Sequence, residues 1–133
     1  MPRVIAPVIS RDDEYFWKGV AEGRLLARCC AECARLQHPP TPMCPHCQSL
    51  DFTVEDLSGR GVIYSWIVSR HPSVPESDSR IVALIDLEEG IRMVSNIAAE
   101  PGTPVRTGMP VKVTFARFGD VTLPQFILDD EAA

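Results

Sequence analysis

After Gly61 the hydrophobic and polar positions divide the chain into strand-like runs separated by turns and loops. Residues 111–117 (Val-Lys-Val-Thr-Phe-Ala-Arg) keep the period of two that a half-buried strand requires. Residues 62–68 are β-branched and aromatic and predict a strand, and residues 81–87 and 91–97 read as two more. Glu88-Glu89-Gly90 reads as a hairpin turn between the last two of these. Phe118-Gly119-Asp120 turns the chain into a fifth strand at 123–128. There Pro124, which has no N–H for a ladder, predicts an edge or a strand start. Residues 69–79 and 101–110 carry prolines and no period, and read as loops.

The first half follows another pattern. From Asp13 onward, Tyr15, Phe16 and Val20 mark one face of a helix, with Trp17 beside it. Ser10 or Asp12 can cap its start, and the acidic residues there suit the positive end of the dipole. Gly19 and Gly23 each weaken a helix by about 1 kcal/mol relative to alanine, so the helix should be short and end near Gly23. Tyr15, Phe16 and Trp17 carry two readings: core beneath the following segment, or a docking face for a partner protein. Residues 1–10 read as an extended arm, because Pro2 and Pro7 forbid helix. Residues 24–28 read as a strand entering a cysteine-rich stretch, and residues 50–57 as a strand leaving it. The chain thus divides into an arm and helix (1–28), a cysteine-rich segment (29–57), five strands (58–128) and an acidic tail (129–133). Five short strands fit a small closed barrel of the OB type, since they would make only a thin sandwich. The fold class is mainly β.

The cysteine-rich segment holds two Cys-x-x-Cys pairs, Cys30-Ala31-Glu32-Cys33 and Cys44-Pro45-His46-Cys47. Each pair gives two thiolates from one tight knuckle, and two knuckles close a tetrahedral cage. The spacing predicts a structural zinc ribbon with Cys30, Cys33, Cys44 and Cys47 as ligands. Iron accepts the same four thiolates, so spacing does not choose between the metals. Two disulfides would leave Cys29 unpaired and need an oxidising compartment. His38 or His46 could replace a cysteine, but His46 lies inside its knuckle and should point away from the ion. Four cysteine ligands leave no position for water or substrate, which predicts a structural ion. Ala34 and Gln48 stand just after the two pairs, where glycine often supplies a positive φ, so the first knuckle should be strained or turned differently.

Composition narrows the function. The net charge of −5 argues against general affinity for phosphate backbones. Residues 58–128 carry seven Arg/Lys against seven Asp/Glu, so the barrel has no net positive charge. Tyr64 and Trp66 alternate on one strand and would share a face able to stack bases, or simply fill the barrel or its rim. A single phosphorylated small molecule needs only two or three cations, and Arg60, Arg70, Arg80 and Arg117 flank strand ends. The chain has no nucleophile elbow, phosphate-cradling loop or His-Glu-x-x-His, and His71 reads as a solvated loop residue. No apolar run approaches a membrane span, and Pro2 and Pro7 interrupt any leader-like stretch. These features predict a cytoplasmic protein that is not catalytic alone.

The motifs taken together resemble the DUF35 family. They are Phe16-Trp17-Lys18-Gly19, Glu22-Gly23-Arg24-Leu25, the two cysteine pairs with Pro39-Pro40 between, and Ser58-Gly59-Arg60-Gly61-Val62-Ile63-Tyr64-Ser65. Val82-Ala83-Leu84-Ile85-Asp86-Leu87-Glu88-Glu89-Gly90, Gly108-Met109-Pro110-Val111 and Leu123-Pro124-Gln125-Phe126 follow in the family's order. The resemblance implies an N-terminal helical arm, a rubredoxin-like zinc ribbon and a C-terminal five-stranded OB-fold. It implies an accessory subunit that organises a thiolase-like enzyme, acyltransferase, aldolase or hydratase acting on CoA thioesters, with the active site on the partner. On that reading Arg60, Arg70 and Arg80 are candidate contacts to CoA, and Tyr15, Phe16 and Trp17 candidate docking residues. The alternative is a module that binds single-stranded nucleic acid. Three positions depart from the family pattern: Ala34 where glycine is common, Ser79-Arg80 where a Pro-aromatic pair is common, and Leu128 where a proline often closes the last motif.

Overall fold

The computed structural model describes residues 5–75 and 78–130. The start of the expected arm (1–4), two residues of the 69–79 loop and the end of the acidic tail (131–133) lie outside the described residues.

A short helix, α1 (Glu14–Ala21), opens the structured chain. Ser10 does not cap it. The Asp13 carboxylate instead accepts from the Ser10 backbone N–H at 2.7 Å and from its hydroxyl at 3.0 Å. The helix stops where the glycine predicts. Arg24 N–H donates to the Gly19 carbonyl and Gly23 N–H to the Val20 carbonyl, with Gly23 at φ 75°. That is a Schellman closure, which needs the left-handed conformation that glycine adopts cheaply. Gly19 has a packing reason of its own, because a Cβ there would lie 2.5 Å from the Leu26 side chain.

Three strands follow: β1 (Leu26–Cys30), β2 (Leu36–Gln37) and β3 (Phe52–Asp56). They form an antiparallel sheet in the order β2-β1-β3. β2 was not foreseen, since two residues are too few to show a period.

The second half is a closed barrel of β4 (Arg60–Ser69), β5 (Arg80–Leu87), β6 (Arg92–Ile97), β7 (Pro110–Phe118) and β8 (Val121–Leu128), in the order β4-β5-β6-β8-β7. Closure comes from two short seams. β7 meets β4 only at Arg60–Val62, and β8 runs parallel to β6 at Ile97 and Phe126, where the Ala98 N–H donates to the Phe126 carbonyl at 2.8 Å. Pro124 lies inside β8, opposite Phe115, and not at a strand start. Its backbone has the same parity as that of Phe126, and its carbonyl accepts the Ser95 hydroxyl of β6. Its missing N–H therefore faces the sparsely bonded β6 seam, where no ladder bond is lost.

One core runs through both halves. Phe16, Val20 and Leu25 pack in the same buried cluster as Ile63, Ile85, Met93, Val111 and Phe126 of the barrel. α1 reaches this core because it touches both β1 and β8.

A four-sulfur site and the surfaces around the barrel

The two knuckles bring Cys30, Cys33, Cys44 and Cys47 together, with all four Sγ atoms within 4.8 Å of one another. Cys30 and Cys47 are 3.5 Å apart, and Cys33 and Cys44 3.7 Å. A tetrahedral ion with bonds of about 2.3 Å requires sulfurs about 3.8 Å apart, so the cage has the right size for a metal ion. The sheet sets this spacing. Cys30 ends β1, and its N–H donates to the Arg35 carbonyl, while the Cys44 N–H donates to the Ser49 carbonyl. Each knuckle closes the same way, Ala34 N–H on the Cys30 carbonyl and Gln48 N–H on the Cys44 carbonyl, both at 2.9 Å.

The cage is also electrostatically prepared for a cation. The Cys33 backbone N–H points at the Cys30 sulfur and lowers the Cys30 thiol to about 6. Four thiolates this close cannot all ionise without a positive charge between them. The crowding pushes the Cys47 thiol up to about 12, so loading a divalent ion releases protons. His46 lies outside the cage, bonded to the Arg35 guanidinium at 2.7 Å. Cys29 is not part of the quartet.

Ala34 and Gln48 both sit at φ 62°. The strain expected at the first knuckle is thus shared by both. A non-glycine residue there costs about 1–2 kcal/mol, part of which glycine returns to the unfolded chain as entropy. Ala34→Gly and Gln48→Gly are each expected to stabilise the metal-loaded protein by about 0.5–1 kcal/mol. The check is a shift in denaturant midpoint at unchanged slope.

Arg28 ties the ribbon to the helix, a role its sequence position gave no sign of. Its guanidinium donates to the Thr41 carbonyl at 2.9 Å and the Asp12 carbonyl at 3.0 Å. It also lies 4.6 Å from the centre of the Phe52 ring and 5.3 Å from that of Tyr15. Its side chain is only 14% exposed.

The three aromatics of α1 take different places. Phe16 is core, 6% exposed, with Trp17 edge-on at 5.0 Å and His38 at 5.4 Å. That corrects its candidacy as a docking residue, because a core side chain is not available to a partner. Tyr15 and Trp17 are half-buried against the same core. His38 is half-buried, and its enclosed Nδ1 has no hydrogen-bond partner among the described residues. Burial lowers its pKa from 6.5, so the folded protein holds it neutral. The unfolded chain takes up the proton first as pH falls. Stability is therefore full above about pH 6.5 and declines below it, towards the lowered folded value. His38→Phe at saturating metal should flatten this part of a Tm-against-pH curve, and an unchanged slope would show that His38 is not its source.

The candidate arginines do not form one patch. Arg60 lines a cleft of about 600 Å³ with Lys112, Asp86, Glu88 and Asp129. Arg80 lines a groove of about 460 Å³ at the other end of the β4–β5 ladder, where it pairs in register with Ser69. Arg70 follows Ser69 and is exposed, about 30 Å along the strand from Arg60.

The shared aromatic face is also corrected. The β4–β5 register shifts between Ile63 and Ser65, so Tyr64 is an extra residue. A bulge of this kind resets which face each later side chain takes. Tyr64 stacks under Arg92, 3.6 Å from guanidinium carbon to ring centre, while Trp66 lines the 460 Å³ groove. The two rings do not make one stacking platform.

A rubredoxin-like ribbon joined through a helix to a closed five-stranded OB barrel defines the class of this protein. Residues 17–53 match the family model described as the ChsH2 rubredoxin-like zinc ribbon domain, and residues 54–116 that of the ChsH2 C-terminal OB-fold domain. The chain belongs to the DUF35 family. A DUF35 domain-containing scaffold protein of Methanocaldococcus jannaschii is 30% identical over 105 residues, covering 76% of this chain and 74% of the relative. A probable enoyl-CoA hydratase alpha subunit of Thermomonospora curvata is 38% identical over 122 residues, covering 90% of this chain. The chain spans about two fifths of the length of that curated relative (38%). Among solved structures, the Ltp2-ChsH2(DUF35) aldolase superposes with a TM-score of 0.84 at 37% identity, over 92% of this chain and 98% of that one. Among the described residues, no helix is long and apolar enough to cross a membrane.

Proposed function

We propose that this chain is a non-catalytic accessory subunit that binds and organises a thiolase-like or related enzyme acting on CoA thioesters. One observation carries the reading. The four-sulfur cage is complete in itself, so Cys30, Cys33, Cys44 and Cys47 would fill a tetrahedral shell and leave no place for substrate. The ion would be zinc, held for folding and not for reaction. The relatives support the partner class, through the scaffold name of one, the hydratase subunit of another and the aldolase complex of the structural neighbour. Trp17, half-buried on α1, is the aromatic best placed to meet the partner, with Tyr15 beside it.

The test is a tagged pull-down from native extract, with the stoichiometric partner identified by mass spectrometry. A thiolase-, aldolase- or hydratase-fold partner supports the reading, and recovery of nucleic acid overturns it. CoA contact is a finer question. Arg60 with Lys112 offers cations at one end of the barrel, Arg70 and Arg80 at the other. A CoA molecule carries two anionic groups, a diphosphate and a 3′-phosphate, and could be met at either end. Calorimetric titration of CoA into the complex, compared between Arg60→Ala and Arg80→Ala, identifies the end that binds. Equal heats from both variants and the parent would rule out direct contact by Arg60 and Arg80.

A further inference from the structure

β4 outgrows the barrel. β7 pairs with it only at Arg60–Val62, and the loop before β7 then covers Ile63 and Tyr64. Ile63 exchanges backbone bonds with Gly108 and Met109, and the Thr107 hydroxyl donates to the Tyr64 carbonyl. Beyond Tyr64, residues 65–69 pair with β5 on one side. On the other side, no strand among the described residues bonds to them. An open edge of this kind presents unpaired N–H and C=O groups to any extended chain, and proteins usually guard it with Lys, Pro or an inward charge. Ser65-Trp66-Ile67-Val68-Ser69 carries none of these.

The side chains of the edge are apolar on both faces. Ile67 is 62% exposed, Val68 59% and Trp66 39%. A strand apolar on both faces is the pattern of one buried on both faces. Beneath the edge lies the 460 Å³ groove, with Trp66, Val68, Ile81, Ile97, Val105 and Leu123 in its walls. An added strand would send every second side chain into it. Charge defines the ends of the occupant. Arg70 directly follows the strand, Arg106 stands next to the Thr107 that bonds Tyr64, and residues 64–70 contain no carboxylate.

We infer that the partner enzyme subunit adds an extended segment to the β4 edge, apolar at alternate positions and acidic at its two ends. The inference rests on the accessory-subunit reading and specifies how that partner is held. A second copy of this chain suits the edge less well. Two chains of net charge −5 repel, and a second edge would bring arginines to the ends, not carboxylates.

The experiment uses the full metal-loaded chain, free and in complex with the enzyme subunit recovered with it. Amide hydrogen exchange of residues 65–69 is expected to slow at least tenfold in the complex. Ile67→Lys, an exposed position, should weaken the complex at least tenfold with unchanged metal content and Tm. As an independent probe, a capped Asp-Val-Thr-Val-Thr-Val-Asp peptide should protect the same amides, and its N-methylated form should not. A complex that leaves exchange at 65–69 unaltered overturns the edge inference while the subunit reading stands, and the absence of any complex overturns both. A chain dimer dissolved by Ile67→Lys, with the enzyme complex unaffected, overturns it in favour of self-pairing. Protection of the groove by hexanoyl-CoA but not by the peptide overturns it in favour of a small-molecule site.

Discussion

Cys44→Ala is expected to release the metal and melt the β2-β1-β3 sheet. Cys44 is buried, and its N–H and carbonyl close the second knuckle on Ser49 and Gln48. Losing one of four thiolates removes most of the affinity. In small zinc domains the binding free energy, about 10–16 kcal/mol, is also folding free energy. The effect should not stop at the ribbon, because Phe16, Val20 and Leu25 lie between that sheet and the barrel and share the barrel's core. Elemental analysis should show metal loss. Amide exchange at Leu26–Cys30 should approach unfolded rates, while Ile85, Val111 and Phe126 keep partial protection at a lowered Tm. Cys29→Ala is the control: outside the quartet, it should keep its metal and lose no more than about 1 kcal/mol. Full metal content and an unshifted Tm in Cys44→Ala would remove Cys44 from the ligand set.

Arg28→Ala should be costly for a charged residue outside both the cage and the core. The side chain satisfies two backbone carbonyls, Thr41 from the stretch between the knuckles and Asp12 from the turn before α1. It also fills the gap between the Tyr15 and Phe52 rings. Charge-assisted bonds to one exposed and one half-buried acceptor and the lost ring contacts together suggest about 2–3 kcal/mol. Arg28→Lys should recover little, because an ammonium cannot span both carbonyls while lying flat between two rings. Chemical denaturation at saturating metal measures both variants. A loss under about 0.5 kcal/mol for the alanine variant would mean Arg28 is a surface residue in effect.

What could be read beforehand follows from the physics of each element. The five barrel strands were legible because each is a run of mostly apolar residues bounded by turn or loop signals, and their observed limits differ from the expected ones by only a residue or two. The cysteine quartet was legible because ligand geometry fixes sequence spacing. Three features were not. β2 holds two residues and exists only through its pairing with Arg28 and Cys29. The bulge at Tyr64 is set by how β4 is held between β5 and the 107–109 loop, and no local signal announces it. Phe16 and Trp17 are neighbours of similar chemistry, and only the position of β8 against α1 decides that the first is core. Arg28 looks like any strand arginine until the turn before α1 and the stretch between the knuckles converge on it.

The common core has a consequence for the order of events during synthesis. The ribbon needs only residues 26–56 and its metal, and those residues leave the ribosome before the barrel strands do. Phe16, Val20 and Leu25 must wait for Phe126, because the barrel cannot close until β8 exists. At about 5–20 residues per second, the 72 residues from 57 to 128 take about 4–14 s to make. For that interval the nascent chain would carry a loaded ribbon with an unburied apolar helix beside it. A chain that stalls before β8 would keep that helix exposed, marked for chaperones or proteases even though its metal site is finished.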